Sequence, residues 1–130
     1  LIAGGKSFGG RMTSSAAAKS PLPAVRGLAF LGCPLHPPNR PADTRAAHLS
    51  DVQLPMLFLQ GTRDDLADLG LIRGVCQRLG ARATLHVVDD ADHSFHVPKR
   101  AARSADDVLQ ELAHTLAAWA KELISVSSAR

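Results

Sequence analysis

Four short segments in the chain are dense in apolar residues, and the stretches between them follow a different rhythm. Leu1-Ile2-Ala3 reads as the last few residues of a buried strand, ended by Gly4-Gly5. Arg26 to Cys33 (RGLAFLGC) is a nearly continuous apolar run, and Met56 to Leu59, led in by Pro55 and ended at Gly61, is another. Thr84 to Val88 completes the set. Runs without a polar face belong to strands covered on both sides, the situation in a parallel sheet. Between them the spacing turns helical. Arg11 to Lys19 is rich in alanine and small residues and is ended by Pro21 and Pro23. Asp43 to Asp51 is polar and contains a short helix. Leu66 to Leu79 sets Leu69, Ile72, Val75, Cys76 and Leu79 on one helical face, with Gly80 as the stop. Ser104-Ala-Asp-Asp107 reads as a helix cap, and the stripe Val108, Leu109, Leu112, Leu116, Trp119 and Leu123 follows.

Strands alternating with helices predict an α/β fold on a mainly parallel sheet, doubly wound by helices. The 130 residues leave room for one domain, placed at 1–124, with 125–130 as a frayed tail. Pro34 to Pro41 holds four of the eight prolines, so it is a loop. Gly-Lys-Ser-Phe-Gly, an Asp after the third strand and a His after the fourth stand on three strand-end loops of one sheet edge.

Composition narrows the function classes. With 45% hydrophobic and 21% charged residues the chain is an ordinary globular one. The net charge of +3 is scattered, and without Tyr there is no basic, aromatic platform for nucleic acid. No apolar run approaches a membrane span. Cys33 and Cys76 form no CxxC pair and read as reduced, buried thiols of a cytoplasmic protein.

The chemistry centres on Gly5-Lys6-Ser7-Phe8-Gly9, a G-x-S-x-G string between a strand and a helix. A serine at the apex of such a turn is exposed above the sheet, and glycines two before and two after let neighbouring backbone pass. The amide of Phe8 then faces an oxyanion position. Gly61-Thr-Arg-Asp64 supplies an acid, favoured over Asp65 by the Gly-x-x-Asp spacing, and Asp89-Asp-Ala-Asp-His93-Ser-Phe supplies a histidine. The order Ser, acid, His is that of an α/β-hydrolase.

Taken together, GGKSFGGR, GCPLHPP, LPMLFLQGTRDD and DADHSF resemble the dienelactone-hydrolase-related α/β-hydrolases, in the branch of the testis-expressed and NSL-complex-subunit-like proteins. The resemblance runs from Leu1 to the final helix and implies the C-terminal half of the α/β-hydrolase fold, the early strands being absent from this chain. It implies Ser7 as nucleophile, Asp64 as acid and His93 as base, acting through an acyl-enzyme on an ester- or lactone-like substrate, with no cofactor and no metal. Lys6 and His36 are candidate substrate contacts; His36 reads equally as a packing residue. Lacking a neighbour, the first strand becomes a sheet edge, through which self-association is expected.

Two other functional readings compete. A non-catalytic fragment with an interaction role would share the fold. Gly5-Lys6-Ser7 also ends a G-x-x-x-x-G-K-[ST] phosphate loop, with Leu85 to Asp89 as an accompanying acidic strand, but that leaves Asp64 and His93 without a role. His93 and His96 have metal-like spacing on an irregular loop, with no third ligand. Asp92 reads as solvated or turn-forming, His48, His86 and His114 as surface or packing residues, and Trp119 as core.

Overall fold

The computed structural model describes residues 1–128, with side chains described through residue 125. Four parallel strands form one sheet in the order β1 (Ile2–Lys6), β2 (Gly27–Leu31), β3 (Met56–Gly61), β4 (Ala83–Val88). Helices α1 (Phe8–Lys19), α2 (Leu69–Leu79) and α3 (Ala105–Ser128) connect or follow them, and a 3₁₀ segment (Thr44–Asp51) lies between β2 and β3. The polar stretch before β3 thus winds more tightly than an α-helix.

Side chains of β2 and β3 alternate between two apolar layers, as the period of a strand requires. Leu28, Phe30, Met56 and Phe58 face one side, where α1, the 3₁₀ segment and α2 supply Ala17, Leu49, Ile72 and Val75. The Phe30 and Phe58 rings meet there at 5.0 Å. Ala29, Leu57 and Leu59 face the other side, against Val108, Leu112 and Trp119 of α3. Helices on both faces make the fold doubly wound, with both central strands covered.

Around Ser7 and Leu66 the boundaries differ from the sequence reading for local reasons. β1 continues through Gly4 and Gly5, in register with Ala29 and Phe30. Here the glycines allow close approach rather than stopping the strand: a Cβ on Gly4 would lie 2.0 Å from the Ala29 carbonyl oxygen. Helix α1 therefore begins immediately after Ser7, three residues earlier than expected. Helix α2 begins three residues later than Leu66, because the backbone there is engaged elsewhere. The Leu66 N–H goes to Asp64 Oδ1 at 2.8 Å, its carbonyl accepts the amides of Leu35 and His36, and Asp68 caps the helix at Leu71 N. Gly80 ends α2 at φ 66°.

Ser104 and Asp107 exchange hydrogen bonds across the first turn of α3. Leu109, placed on the stripe, is instead exposed on the far side of α3. Helical geometry continues to Ser128, into the stretch read as a tail; Ala129 and Arg130 lie outside the described residues. No described helix is long and apolar enough to cross a membrane.

Candidate active site

The strand-to-helix turn at Ser7 is made by backbone geometry. Ser7 adopts φ 54° and ψ −119°, a conformation that costs an L-residue on the order of 1–3 kcal/mol and persists only when its surroundings impose it. They do so through the Ser7 amide, which donates to Leu31 O at 2.9 Å, and the Ser7 carbonyl, which accepts Arg11 N–H at 3.2 Å. The glycines permit the crossing of β1 and α1, but not the pair assigned from the motif. A Cβ on Gly5 would lie 2.7 Å from both Gly9 C and Gly10 N, and one on Gly10 would lie 2.8 Å from Gly5 O. A Cβ on Gly9 would meet nothing within 4 Å. Gly5 packs on the backbone of both Gly9 and Gly10, so Gly5 and Gly10 cannot carry a Cβ without clash, whereas Gly9 has room for a side chain.

Three strand ends bring the candidate side chains together. Ser7 Oγ lies 2.7 Å from His93 Nε2, and His93 Nδ1 lies 2.8 Å from Asp64 Oδ2. A carboxylate accepts and does not donate, so Nδ1 carries the ring proton and Nε2 presents a lone pair to the serine hydroxyl. The Asp64 side chain is 0% exposed and that of His93 16%. Asp64 Oδ1 accepts Leu66 N–H and Oδ2 also accepts Gln60 Nε2–H at 2.7 Å, so three donors converge on the carboxylate. Such a buried anion is sustained by its hydrogen bonds.

The loop bearing His93 is held from beneath. Arg63 N–H donates to Ala91 O at 2.9 Å, and Thr62 Oγ1 accepts Asp90 N–H at 2.9 Å. Asp92 turns the loop by accepting the amides of Ser94 and His96. Gly32, at φ 75°, passes so close that a Cβ there would lie 3.1 Å from His93 O. Neither Gln60 nor Gly32 was singled out in the sequence. A lone Gln inside a strand carries no motif, and a glycine after a strand is too common to stand out.

Other candidates fall into place around this chain of bonds. Phe8 opens α1, so its N–H lacks an intrahelical acceptor and can face a developing negative charge; the residue is 63% exposed. Lys6 is exposed at the end of β1. His36 does not suit the substrate-contact role. It is buried, its Nδ1–H donates to Pro37 O and its Nε2 accepts Asp68 N–H, which occupies both ring nitrogens with backbone. His96 is exposed beside the site, His48 bonds Ser14 Oγ at 2.7 Å and His86 pairs with Glu111 at 2.6 Å. Burial pushes the Cys33 thiol up to about 12, helped by nearby Cys76 and Asp64, so it is a poor nucleophile. Gly5 and Lys6 lie within β1, paired to Phe30 and Leu31, so Gly-Lys-Ser does not close a phosphate loop.

A parallel sheet wound on both faces, with serine, histidine and aspartate joined at the C-terminal ends of its strands, defines the α/β-hydrolase class. The chain belongs to the alpha/beta hydrolase domain family, whose profile matches residues 1–121.

Among solved structures it is similar to the esterase domain of a Rhodothermus marinus protein, at 17% identity over 93% of this chain and 60% of that one, with a TM-score of 0.68. It is also similar to an α/β serine hydrolase without lid from Xanthomonas campestris (27% identity, 92% of this chain, 47% of that one, TM-score 0.63). A Klebsiella pneumoniae protein provisionally named a dienelactone hydrolase is a third (25% identity, 86% and 49%, TM-score 0.56). The chain spans 47% to 60% of the length of these three.

Proposed function

We propose that this chain carries the catalytic triad of a serine hydrolase acting on ester- or lactone-like acyl bonds. The observation that carries the reading is the unbroken hydrogen-bonded chain from Ser7 Oγ through His93 to the buried Asp64 carboxylate. In the proposed reaction His93 Nε2 takes the hydroxyl proton as Ser7 Oγ bonds to the acyl carbon. The carbonyl oxygen gains negative charge facing the Phe8 N–H. The intermediate collapses to an acyl-serine as His93 passes its proton to the leaving oxygen. Water then gives a proton to His93, attacks the acyl carbon and releases the acid, returning the proton to Ser7. Lys6 stands at the rim of this site. The same motifs support the testis-expressed and NSL-complex-subunit-like branch, and the two unpaired thiols a cytoplasmic setting.

A fluorophosphonate probe tests the reading. Ser7 is the expected site of labelling, with Ser7→Ala abolishing it and His93→Ala slowing it by about 10⁴–10⁶-fold. Labelling that survives His93→Ala unchanged would exclude His93 as the base.

A second reading, an interaction role, has one observation in its favour. β1 is one of the two end strands of the described sheet, and Leu1, Phe8 and Met12 beside it are exposed. Self-association through this edge predicts a dimer or larger species in analytical ultracentrifugation; a monomer at high concentration would remove it.

A further inference from the structure

Beyond the three residues of the proposed triad, one wholly buried polar side chain is joined to it. Gln60 lies near the C-terminal end of β3, on a strand otherwise composed of Met56, Leu57, Phe58, Leu59 and Gly61, and is 0% exposed. An apolar residue would fill that space without the desolvation cost of an amide, so packing alone does not account for glutamine there. Its two ends are used differently. Oε1 accepts Cys33 N–H at 3.2 Å, and Nε2 donates to Asp64 Oδ2 at 2.7 Å. Because a backbone N–H can only donate, Cys33 fixes the orientation of the amide and turns its N–H groups toward the acid. The same turn supports the base, since Gly32 passes against His93. One short segment, Gly32-Cys33, therefore bears on His93 directly and on Asp64 through Gln60.

We propose that Gln60 is a positioning residue of the hydrolytic site, an inference that rests on reading Ser7, His93 and Asp64 as its triad. Its N–H shares Asp64 Oδ2 with His93 Nδ1–H. The second bond holds the carboxylate in the plane and rotamer that meet the imidazole. It also tempers the pull of the anion on the histidine proton, because a carboxylate already hydrogen-bonded attracts a further proton less strongly. Loss of the Gln60 donor has two consequences. The carboxylate is freer to turn away, and when it does face His93 it holds the ring proton harder and favours the protonated ring.

Gln60→Met, similar in length but without the amide, tests this. The expected result is fluorophosphonate labelling slowed by about tenfold, the effect of losing one hydrogen bond to a charged group. The acid limb of the pH–labelling profile moves up by about one pH unit, and the His93 Nδ1 proton resonance moves to lower field. Wild-type protein provides an independent measurement. There the Gln60 side-chain amide protons exchange slowly, and their shift follows pH with the same midpoint as labelling. Unchanged labelling in Gln60→Met, or a loss with the acid limb and the Nδ1 proton both unmoved, would overturn the proposal, as would rapidly exchanging Gln60 amide protons in the wild type. If the wild-type chain fails to label at all, the hydrolase reading falls, while the Nδ1 resonance still decides whether Gln60 acts on the Asp64–His93 pair.

Discussion

The two sides of the site are held by different means. On the serine side, β1 and α1 cross through glycine, and the Ser7 turn is kept by backbone hydrogen bonds to Leu31 and Arg11. That side follows one of the two end strands, with Phe8 and Met12 exposed around it. On the aspartate and histidine side, side-chain hydrogen bonds are added to backbone ones: Gln60 and the Leu66 amide hold the Asp64 carboxylate, Thr62 ties the end of β3 to Asp90 beyond β4, and Asp92 turns the histidine loop. The serine is thus placed by glycine contacts and backbone bonds, and the imidazole by polar side-chain partners together with the close passage of Gly32. The first arrangement should break on adding a methyl group, the second on changing a single atom.

The largest expected effect is on the polar side. Asp64→Asn keeps the shape but offers an N–H where the carboxylate accepted, which favours the wrong ring tautomer of His93. Labelling of Ser7 should fall by about 10⁴-fold, well beyond what a modest drop in melting temperature, from the new N–H facing another buried donor, would account for. A drop in activity matched by unfolding would mean that Asp64 serves stability first.

On the glycine side the contrast is between neighbours. Gly10→Ala drives a Cβ against Gly5 O and the Phe30 ring, and should cost about 1–3 kcal/mol. Gly9→Ala, in open space within the same helix, should stabilise by about 0.5–1 kcal/mol through helix propensity. Denaturant titration of the two variants measures both signs. Equal destabilisation would show that Gly9 is needed for something other than room.

The smallest effect concerns the side-chain tether on the serine side, His48 to Ser14 of α1. Burial holds His48 below its ordinary 6.5, with a backbone contact at Arg45 pulling the other way and the Arg11 charge adding to the depression. Below that value the unfolded chain takes up a proton that the folded one resists, so stability is present above about pH 6.5 and falls as pH drops toward the folded value. Chemical unfolding at pH 7.5 and 5.5 should show a pH difference in wild type that is reduced in His48→Gln. An equal difference in both would exclude His48 as a source.

What could be read from the residues alone was whatever repeats along the chain or occurs as a fixed local string. Apolar runs marked β2 and β3 most plainly because a strand covered on both faces has no polar side to show, while the end strands β1 and β4 are partly exposed and gave shorter or mixed runs. G-x-S-x-G, Gly-x-x-Asp and the histidine loop pointed to Ser7, Asp64 and His93 because each depends on a turn of a few residues. Boundaries were misread where backbone groups bond across the fold, as at Leu66, and where glycine serves contact rather than termination, as at Gly4 and Gly5. Gln60 and Gly32 were invisible for different reasons: Gln60 bonds Asp64 only four residues on, but the amide is turned that way by the distant Cys33 N–H, and Gly32 acts on His93 across the fold. His36, equally able to contact substrate or pack, was assigned by the two backbone groups that meet its ring nitrogens. Local strings specify which groups are present and on which strand ends; which atoms they meet depends on how the strand-end loops close over one another, and that geometry exists only in the folded sheet.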